Sequence, residues 1–105
     1  MSPSLPAAIP STNTVLEELY VQFAQLTALD ISNNMNLEDL SCSYNNLSGS
    51  LDVSAHTNLE YLDASENYFS SLNVKNGNNS NFRNFYADAN PNLTCIEVDN
   101  VDYST

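Results

Sequence analysis

A short motif of apolar residues recurs four times along this 105-residue chain and restricts its fold more than any other feature. Each copy reads Leu-x-x-Leu-x-small, with Phe in place of Leu in the last copy, and the copies begin at Leu16, Leu37, Leu59 and Phe82, at intervals of 21, 22 and 23 residues. A period of this length indicates a solenoid, in which each repeat forms one coil. One coil cannot bury its apolar edge alone, so we expect the coils to stack and share a continuous core.

The spacing within each copy predicts two short extended segments per coil. Leu40-x-Cys42 and Leu51-x-Val53 alternate apolar and polar positions, which is the periodicity of a strand with one buried side. The second segment of every coil carries such an apolar pair: Leu29 and Ile31, Leu51 and Val53, Leu72 and Val74, Ile96 and Val98. We therefore predict coils made mostly of short β-strands and turns, with little helix.

An asparagine follows the first segment in three of the four copies. Asn45, Asn67 and Asn90 occupy the same position of the repeat, and Ala24 takes that position in the first copy. An asparagine amide carries both donors and an acceptor, so it can satisfy backbone groups that a tight bend leaves unpaired. We predict that these three residues form a structural asparagine ladder along one edge of the solenoid.

These residues resemble the leucine-rich-repeat family, in particular an Asn- and Ser-rich type found in secreted and surface proteins of flavobacteria and their relatives. The similar segments are 29–34, 51–54, 72–77 and 90–98, which begin Leu-Asp-Ile, Leu-Asp-Val, Leu-Asn-Val and Asn-Pro-Asn. The resemblance covers about residues 16–105 and implies a right-handed solenoid of the α/β leucine-rich-repeat class. It also implies non-catalytic recognition of a protein or a glycan, as adhesion or binding, by part of a longer secreted or surface protein of bacterial type.

Two interpretations of the first copy remain open. Thr14-x-x-Glu17 is a capping-box pattern, and Leu16, Leu19 and Phe23 also fit one helical face, so residues 15–26 read either as a first repeat or as a cap helix. We favour the repeat because it matches residues 37–45 position by position. Residues 1–15 contain three prolines among Ser and Ala and are predicted to be a flexible leader.

The charge balance restricts the partners. The chain has thirteen Asp and Glu against two basic residues, Lys75 and Arg83, and a formal net charge of -11. Nucleic acids and anionic membranes are therefore poor partners, because their binding depends on Lys and Arg. No apolar run approaches the ~18 residues of a membrane span, and the N-terminus lacks the pattern of a signal peptide. Cys42 takes a position filled elsewhere by Val or Ala, which predicts a small buried residue.

The outward side of the predicted first strands is the best candidate for a binding surface. Tyrosine offers a rigid, amphipathic contact area, and neighbouring carboxylates can bond to basic side chains or sugar hydroxyls. The alternative is an ordinary solvated sheet stabilised by cross-strand tyrosine pairs. The candidate ligand-binding residues are Tyr20, Asp39, Tyr61, Asp63, Tyr86 and Asp88.

Other chemistry finds little support in the sequence. The residues Asp88, Asn90, Asn92 and Asp99 copy part of a calcium-binding loop, but Leu93 stands where such a loop needs glycine. His56 is the sole histidine and is expected to be a solvated turn residue. We predict no catalytic residues, no metal site and no cofactor. The rival functions are a structural spacer within a larger surface protein and, less well supported, a small hydrolase. Self-association through an uncapped C-terminal end is a further expectation.

Overall fold

In a computed structural model, the chain is a solenoid of about four turns of parallel strands, described for residues 7–8 and 15–99. A single short 3-10 helix, Asn79–Asn81, interrupts the strands and turns of this part. The strands are β1 (Ala7–Ala8), β2 (Glu18–Tyr20), β3 (Ala28–Leu29), β4 (Asp39–Ser41), β5 (Ser48–Asp52), β6 (Tyr61–Asp63), β7 (Tyr68–Asn73), β8 (Asn84–Tyr86) and β9 (Cys95–Glu97).

The first strands of the four coils form one parallel sheet in the order β2-β4-β6-β8. Leu19 pairs with Leu40, Leu40 with Leu62, and Leu62 with Phe85, so equivalent residues of the repeat lie side by side. The predicted repeat is confirmed in all four coils. The alternative cap helix at residues 15–26 is wrong, because Glu18–Tyr20 is a strand that pairs along its whole length with β4.

The second strands are confirmed as extended but do not form one continuous sheet. β5, β7 and β9 make a three-stranded parallel sheet, and its register shifts between Gly49 and Ser50, where Gly49 has a φ of 75°. β3 is not part of this sheet and pairs instead with β1. A cleft of about 200 Å³ lies between the two groups of strands and is lined by residues 27–29 and by Leu47, Ser48, Ser50, Leu51 and Phe69.

The pairing of β1 with β3 places two residues of the predicted leader beside the first coil. Ala7 lies opposite Ala28 and Ala8 opposite Leu29, which is the offset of one repeat. β1 therefore takes the position of the second strand of a preceding coil. Residues 1–6 and 9–14 of the predicted leader lie outside the described part of the chain, and the leader boundary stays a prediction.

The core is deepest in the two central coils. Their inward side chains are almost completely buried, whereas in the outer coils Leu19, Phe85 and Leu93 are partly exposed. Each central coil has a neighbour on both sides, and burial of a whole Leu side chain contributes about 1.5 to 3 kcal/mol. Cys42 is fully buried, as its repeat position predicts, and burial raises the pKa of its thiol to about 12. The central buried residues are Leu37, Leu40, Cys42, Leu47, Leu51, Val53, Leu59, Leu62, Ala64, Phe69, Leu72 and Val74.

The recurring asparagines lie where each coil turns after its first strand. The residue just before this position has a left-handed backbone in every coil, with φ between 56° and 59° at Phe23, Tyr44, Glu66 and Ala89. The amide of Asn45 donates to the carbonyls of Cys42 and Ser43 in its own coil, at 2.9 and 3.1 Å. Asn67 and Asn90 make the equivalent bonds.

Each of these amides also bonds to the preceding coil. The Oδ1 of Asn45 accepts from the backbone N–H groups of Ala24 and Leu26 at 3.1 and 2.9 Å, and its Nδ2 donates to the Val21 carbonyl at 3.0 Å. The first coil therefore tolerates Ala24 at the asparagine position, because Asn45 of the next coil satisfies its turn.

His56 lies in a second column of buried polar side chains, at the turn after the second strand. The expectation of a solvated histidine is wrong, because His56 is buried and its Nε2 donates to the Ile31 carbonyl at 3.0 Å. Asn76 of the next coil is also buried, and its Nδ2 donates to the backbone carbonyl of His56 at 2.8 Å. The signal was present in the sequence, because Val53-Ser-Ala-His56 aligns with Ile31-Ser-Asn-Asn34 and Asn34 is also buried.

Candidate binding face

The outward side of the β2-β4-β6-β8 sheet brings five of the six predicted binding residues onto one surface, which we call the tyrosine face. It consists of two rows that run across the strands at the ~4.8 Å spacing of neighbouring strands. In the first row Asp39 lies between Glu18 and Tyr61, and Asn84 follows Tyr61. In the second row the order is Tyr20, Ser41, Asp63 and Tyr86. Alternation along the strands puts both rows on the same side of the sheet.

Tyrosine rings dominate the exposed area of this face. Tyr20 and Tyr86 are 52% and 44% exposed, and Tyr61 is partly exposed between the central strands. The rings of Tyr61 and Tyr86 meet edge to face with centroids 6.2 Å apart, an arrangement that holds both in place. At the adjacent turn the rings of Phe23 and Tyr44 stack with centroids 4.4 Å apart. The face thus presents aromatic groups whose orientations are set before any partner binds.

Asp39 is engaged inside the molecule. Its Oδ2 accepts a 2.8 Å hydrogen bond from the Tyr20 hydroxyl, and its Oδ1 forms an ion pair with Nη2 of Arg83. Arg83 belongs to the fourth coil and also approaches Glu60, with Nε 3.4 Å from Oε1. We call this group, made of Tyr20, Asp39, Glu60 and Arg83, the Asp39 clasp. The sequence reading missed Arg83 because the contact spans 44 residues and two coils.

The other predicted carboxylates differ in their environment. Asp63 accepts hydrogen bonds from the backbone and hydroxyl of Ser65, at 3.0 and 2.6 Å, and is partly exposed at the centre of the second row. Asp88 is exposed beyond the end of β8, at the edge of the face rather than within the two rows. Ser41, between Tyr20 and Asp63, is 1% exposed, and its hydroxyl has no hydrogen-bond partner within the part of the chain that the structure describes.

The hydrogen bond to Asp39 raises the pKa of Tyr20 from its usual 10.0 to about 12. Because the folded pKa lies above the unfolded one, this contribution to stability is complete below pH 10 and is lost as the pH rises through about 12. We expect a ¹³Cζ NMR titration of Tyr20 to show the raised pKa, and Asp39→Asn to return it toward 10. The charge-matched variant Asp52→Asn, on the other sheet, should leave it raised; an equal fall in both variants would show that general charge, not this bond, raises the pKa.

Two residues of the candidate calcium loop, Asn90 and Asp99, form hydrogen bonds with backbone groups of other segments. Asn90 is buried in the asparagine column, where its amide donates to the Ala64 carbonyl at 3.0 Å. The carboxylate of Asp99 accepts from the backbone N–H groups of Gly77 and Asn79 at 2.8 and 2.9 Å. Among the described residues, no three His, Cys, Asp or Glu side chains are grouped closely enough to hold a metal ion.

The outward polar residues of the second strands accept hydrogen bonds from the backbone of the turns that follow. Asp30 and Asp52 accept hydrogen bonds from the backbone N–H groups of Ser32 and Ser54, at 2.9 and 2.8 Å. The pKa of both carboxyls is lowered, first by the hydroxyls of these serines and then by the backbone bonds. Asn73 accepts from the backbone of Lys75 at 3.0 Å in the same way. The part of the chain that the structure describes contains no helix with the length and apolar character of a membrane span.

A protein-family model described as Leucine Rich Repeat matches residues 36–55. This segment is the second coil, and it contains β4, β5 and Asn45. The remaining coils align with it through the strand register given above. No curated protein and no solved structure matches the chain.

Proposed function

Since this chain is a leucine-rich-repeat protein, we propose that it is a non-catalytic module that binds another protein through the tyrosine face. Leucine-rich repeats suggest protein binding in general, and the particular surface is our proposal. The observation that carries it is the exposure of Tyr20, Tyr61 and Tyr86 on a sheet whose backbone is fixed by stacking.

The physical argument rests on the cost of ordering a surface. A tyrosine side chain has two rotatable angles and a large amphipathic ring, so it loses little entropy when a partner covers it. The sheet backbone loses no conformational entropy when a partner binds, because its strands are already paired with one another. Tyrosine is also among the residues that contribute most to protein interfaces. The solenoid therefore supplies a preorganised contact area without any movement of its backbone.

The charge of the surrounding surface favours a partner with basic groups. Eight of the thirteen carboxylates belong to the first half of a coil, on the face or directly beside it: Glu17, Glu18, Glu38, Asp39, Glu60, Asp63, Glu66 and Asp88. Arg83 is the one basic residue in the same part of the coils, because Lys75 follows a second strand. Complementary charge raises the rate of encounter and selects partners more than it adds affinity. By its resemblance to Asn- and Ser-rich surface proteins, we propose that the module acts outside the cell.

The test compares tyrosines on the two sheets. Tyr61→Ala and Tyr86→Ala remove rings from the proposed face, and Tyr68→Ala removes from β7 a ring about as exposed as that of Tyr86, as the control. Each variant is immobilised, and the proteins retained from an extract of the source organism are quantified by mass spectrometry. We expect one set of proteins to be retained by the native chain and by Tyr68→Ala, and to fall at least tenfold, or about 1.4 kcal/mol, on both face variants.

Three other outcomes have distinct meanings. Equal retention by all variants would place the interface elsewhere on the solenoid. Retention of glycans on an array, lost with Tyr61→Ala, would replace the protein partner with a carbohydrate. Retention of nothing by the native chain would favour the spacer function.

A further inference from the structure

The Asp39 carboxylate is a buried anion that needs a cation. Its side chain is 12% exposed, and its two oxygens are taken by Tyr20 and Arg83. A carboxylate withdrawn from water is stable only when it is paired and hydrogen-bonded. β4 and the Tyr20 ring build the anionic half of this site, whereas the cation comes from two coils away.

Arg83 is a loosely held occupant of that site. Its side chain is 52% exposed, and besides Asp39 it contacts only Glu60 among the ion pairs of the described residues, at 3.4 Å. An ion pair that is half open to water contributes little to stability. Arg83 is therefore expected to leave Asp39 at small cost when another cation can take its place.

The surroundings favour a further cation. Glu17, Glu38 and Glu60 precede the first strands of successive coils, and Arg83 is the fourth member of this column. Backbone hydrogen bonds of 2.7, 2.8 and 2.6 Å join each member to the next, so their side chains begin at the spacing of neighbouring strands. Of these three carboxylates only Glu60 contacts the guanidinium of Arg83, and Glu17 and Glu38 form no ion pair with a basic residue in the described structure.

The unpaired hydroxyl of Ser41 is a second indication that a ligand binds beside Asp39. Ser41 follows Asp39 by two residues on β4, so both side chains lie on the tyrosine face. Its Oγ is buried and has no hydrogen-bond partner among the described residues. Buried polar atoms are rarely left unpaired unless a site is incomplete.

We propose that the Asp39 clasp is a binding site for an arginine side chain of the protein partner, and that Arg83 occupies this site in the free protein. The inference rests on the proposed function and names the chemistry of its partner. An arriving guanidinium bonds to Asp39 and Glu60 while Arg83 swings out toward solvent. Arginine fits better than lysine, because its planar fork can bond two carboxylates and lie against a tyrosine ring, here Tyr20 or Tyr61.

The test empties the site and offers a defined ligand. Arg83→Ala is titrated with N-acetyl-arginine amide at about 0.15 M salt, where long-range attraction to the acidic chain is screened. Binding is followed by the ring resonances of Tyr20 and Tyr61. We expect at least tenfold tighter binding than to the native chain, and at least fivefold tighter binding than that of N-acetyl-lysine amide.

Two controls make the result specific. Lys75→Ala removes the only other basic residue and gives the same net charge, so it should bind the arginine amide no better than the native chain. The double variant Arg83→Ala with Asp39→Asn should lose the gain. Arg83→Gln, which keeps most of the side-chain stem, is measured in parallel, and thermal unfolding shows that each variant is folded.

The proposal is overturned if folded Arg83→Ala and Arg83→Gln bind the arginine amide no better than the native chain. It is also overturned if Lys75→Ala gains as much affinity, or if the gain survives Asp39→Asn, because either outcome means unspecific attraction. None of these outcomes changes the result expected for partner binding by Tyr61→Ala and Tyr86→Ala. Loss of partner binding on Tyr61→Ala together with failure of the arginine test would retain the face and reject the clasp.

Discussion

Replacing Asn67 by alanine is expected to lower the free energy of unfolding by about 3 to 5 kcal/mol, a large part of the ~5 to 15 kcal/mol typical of a domain. Asn67 is 2% exposed. Its Nδ2 donates to the carbonyls of Cys42 and Ser65 at 2.9 and 3.1 Å, and its Oδ1 accepts from the Leu47 N–H at 3.1 Å. Alanine would leave these backbone groups buried without partners, and each such group costs about 1 to 3 kcal/mol.

Urea unfolding followed by circular dichroism measures the effect. Asn33→Ala is the matched control, because Asn33 is exposed in a turn of the first coil, and its substitution should change stability by less than about 0.5 kcal/mol. Asn67→Asp keeps the acceptor but removes the donors, so it should be destabilised nearly as much as Asn67→Ala. A loss of under about 1 kcal/mol for Asn67→Ala would mean that water replaces the amide at the turn.

Leu62→Ala is expected to cost about 2 to 5 kcal/mol by removing a side chain from the centre of the core. Leu62 is 0% exposed and lies on β6, between Leu40 of β4 and Phe85 of β8. Neighbouring coils contact only each other, so a cavity here weakens both junctions of the solenoid. We expect faster amide hydrogen exchange in β4 and β8 as well as in β6.

The control for this variant is Ile96→Ala on β9. Ile96 occupies an apolar position of the repeat pattern in the last coil but is 41% exposed, so its truncation should cost less than about 1 kcal/mol. Exchange that accelerates only at the site of Leu62→Ala, with β4 and β8 unchanged, would contradict a core that is shared between coils.

The arrangement of the coils could be predicted from the sequence because it follows from a period. The nearly constant spacing of Leu19, Leu40 and Leu62 leaves one register in which all apolar edges stack, and a slip by one residue would turn each of them outward. The same reasoning placed Cys42 in the core. It also favoured the repeat over the cap helix at residues 15–26, because the helical pattern was local and the strand pattern matched a neighbour, and the strand Glu18–Tyr20 then decided between them.

Part of the candidate site could be predicted for the same reason. Alternation along a strand places Tyr20, Tyr61 and Tyr86 outward, whatever the details of packing. The alternation of residues along a strand does not predict which distant residue a long side chain contacts. Arg83 and Asp39 are separated by 44 residues, and their contact depends on which rotamer of arginine crosses the third coil. Asp39 was therefore predicted as a ligand-binding residue of the outward side, and in the structure it is largely buried and bonded to Tyr20 and Arg83.

The sequence by itself determined the repeat, the paired first strands and the outward tyrosines, because a period of 21 to 23 residues admits one stacking of identical apolar edges. The tertiary structure alone decided the pairing of β1 with β3 and the occupation of Asp39 by Arg83. These features depend on single side chains or on two residues of backbone that reach across coils. Such contacts do not recur from coil to coil, so no periodicity in the sequence predicts them.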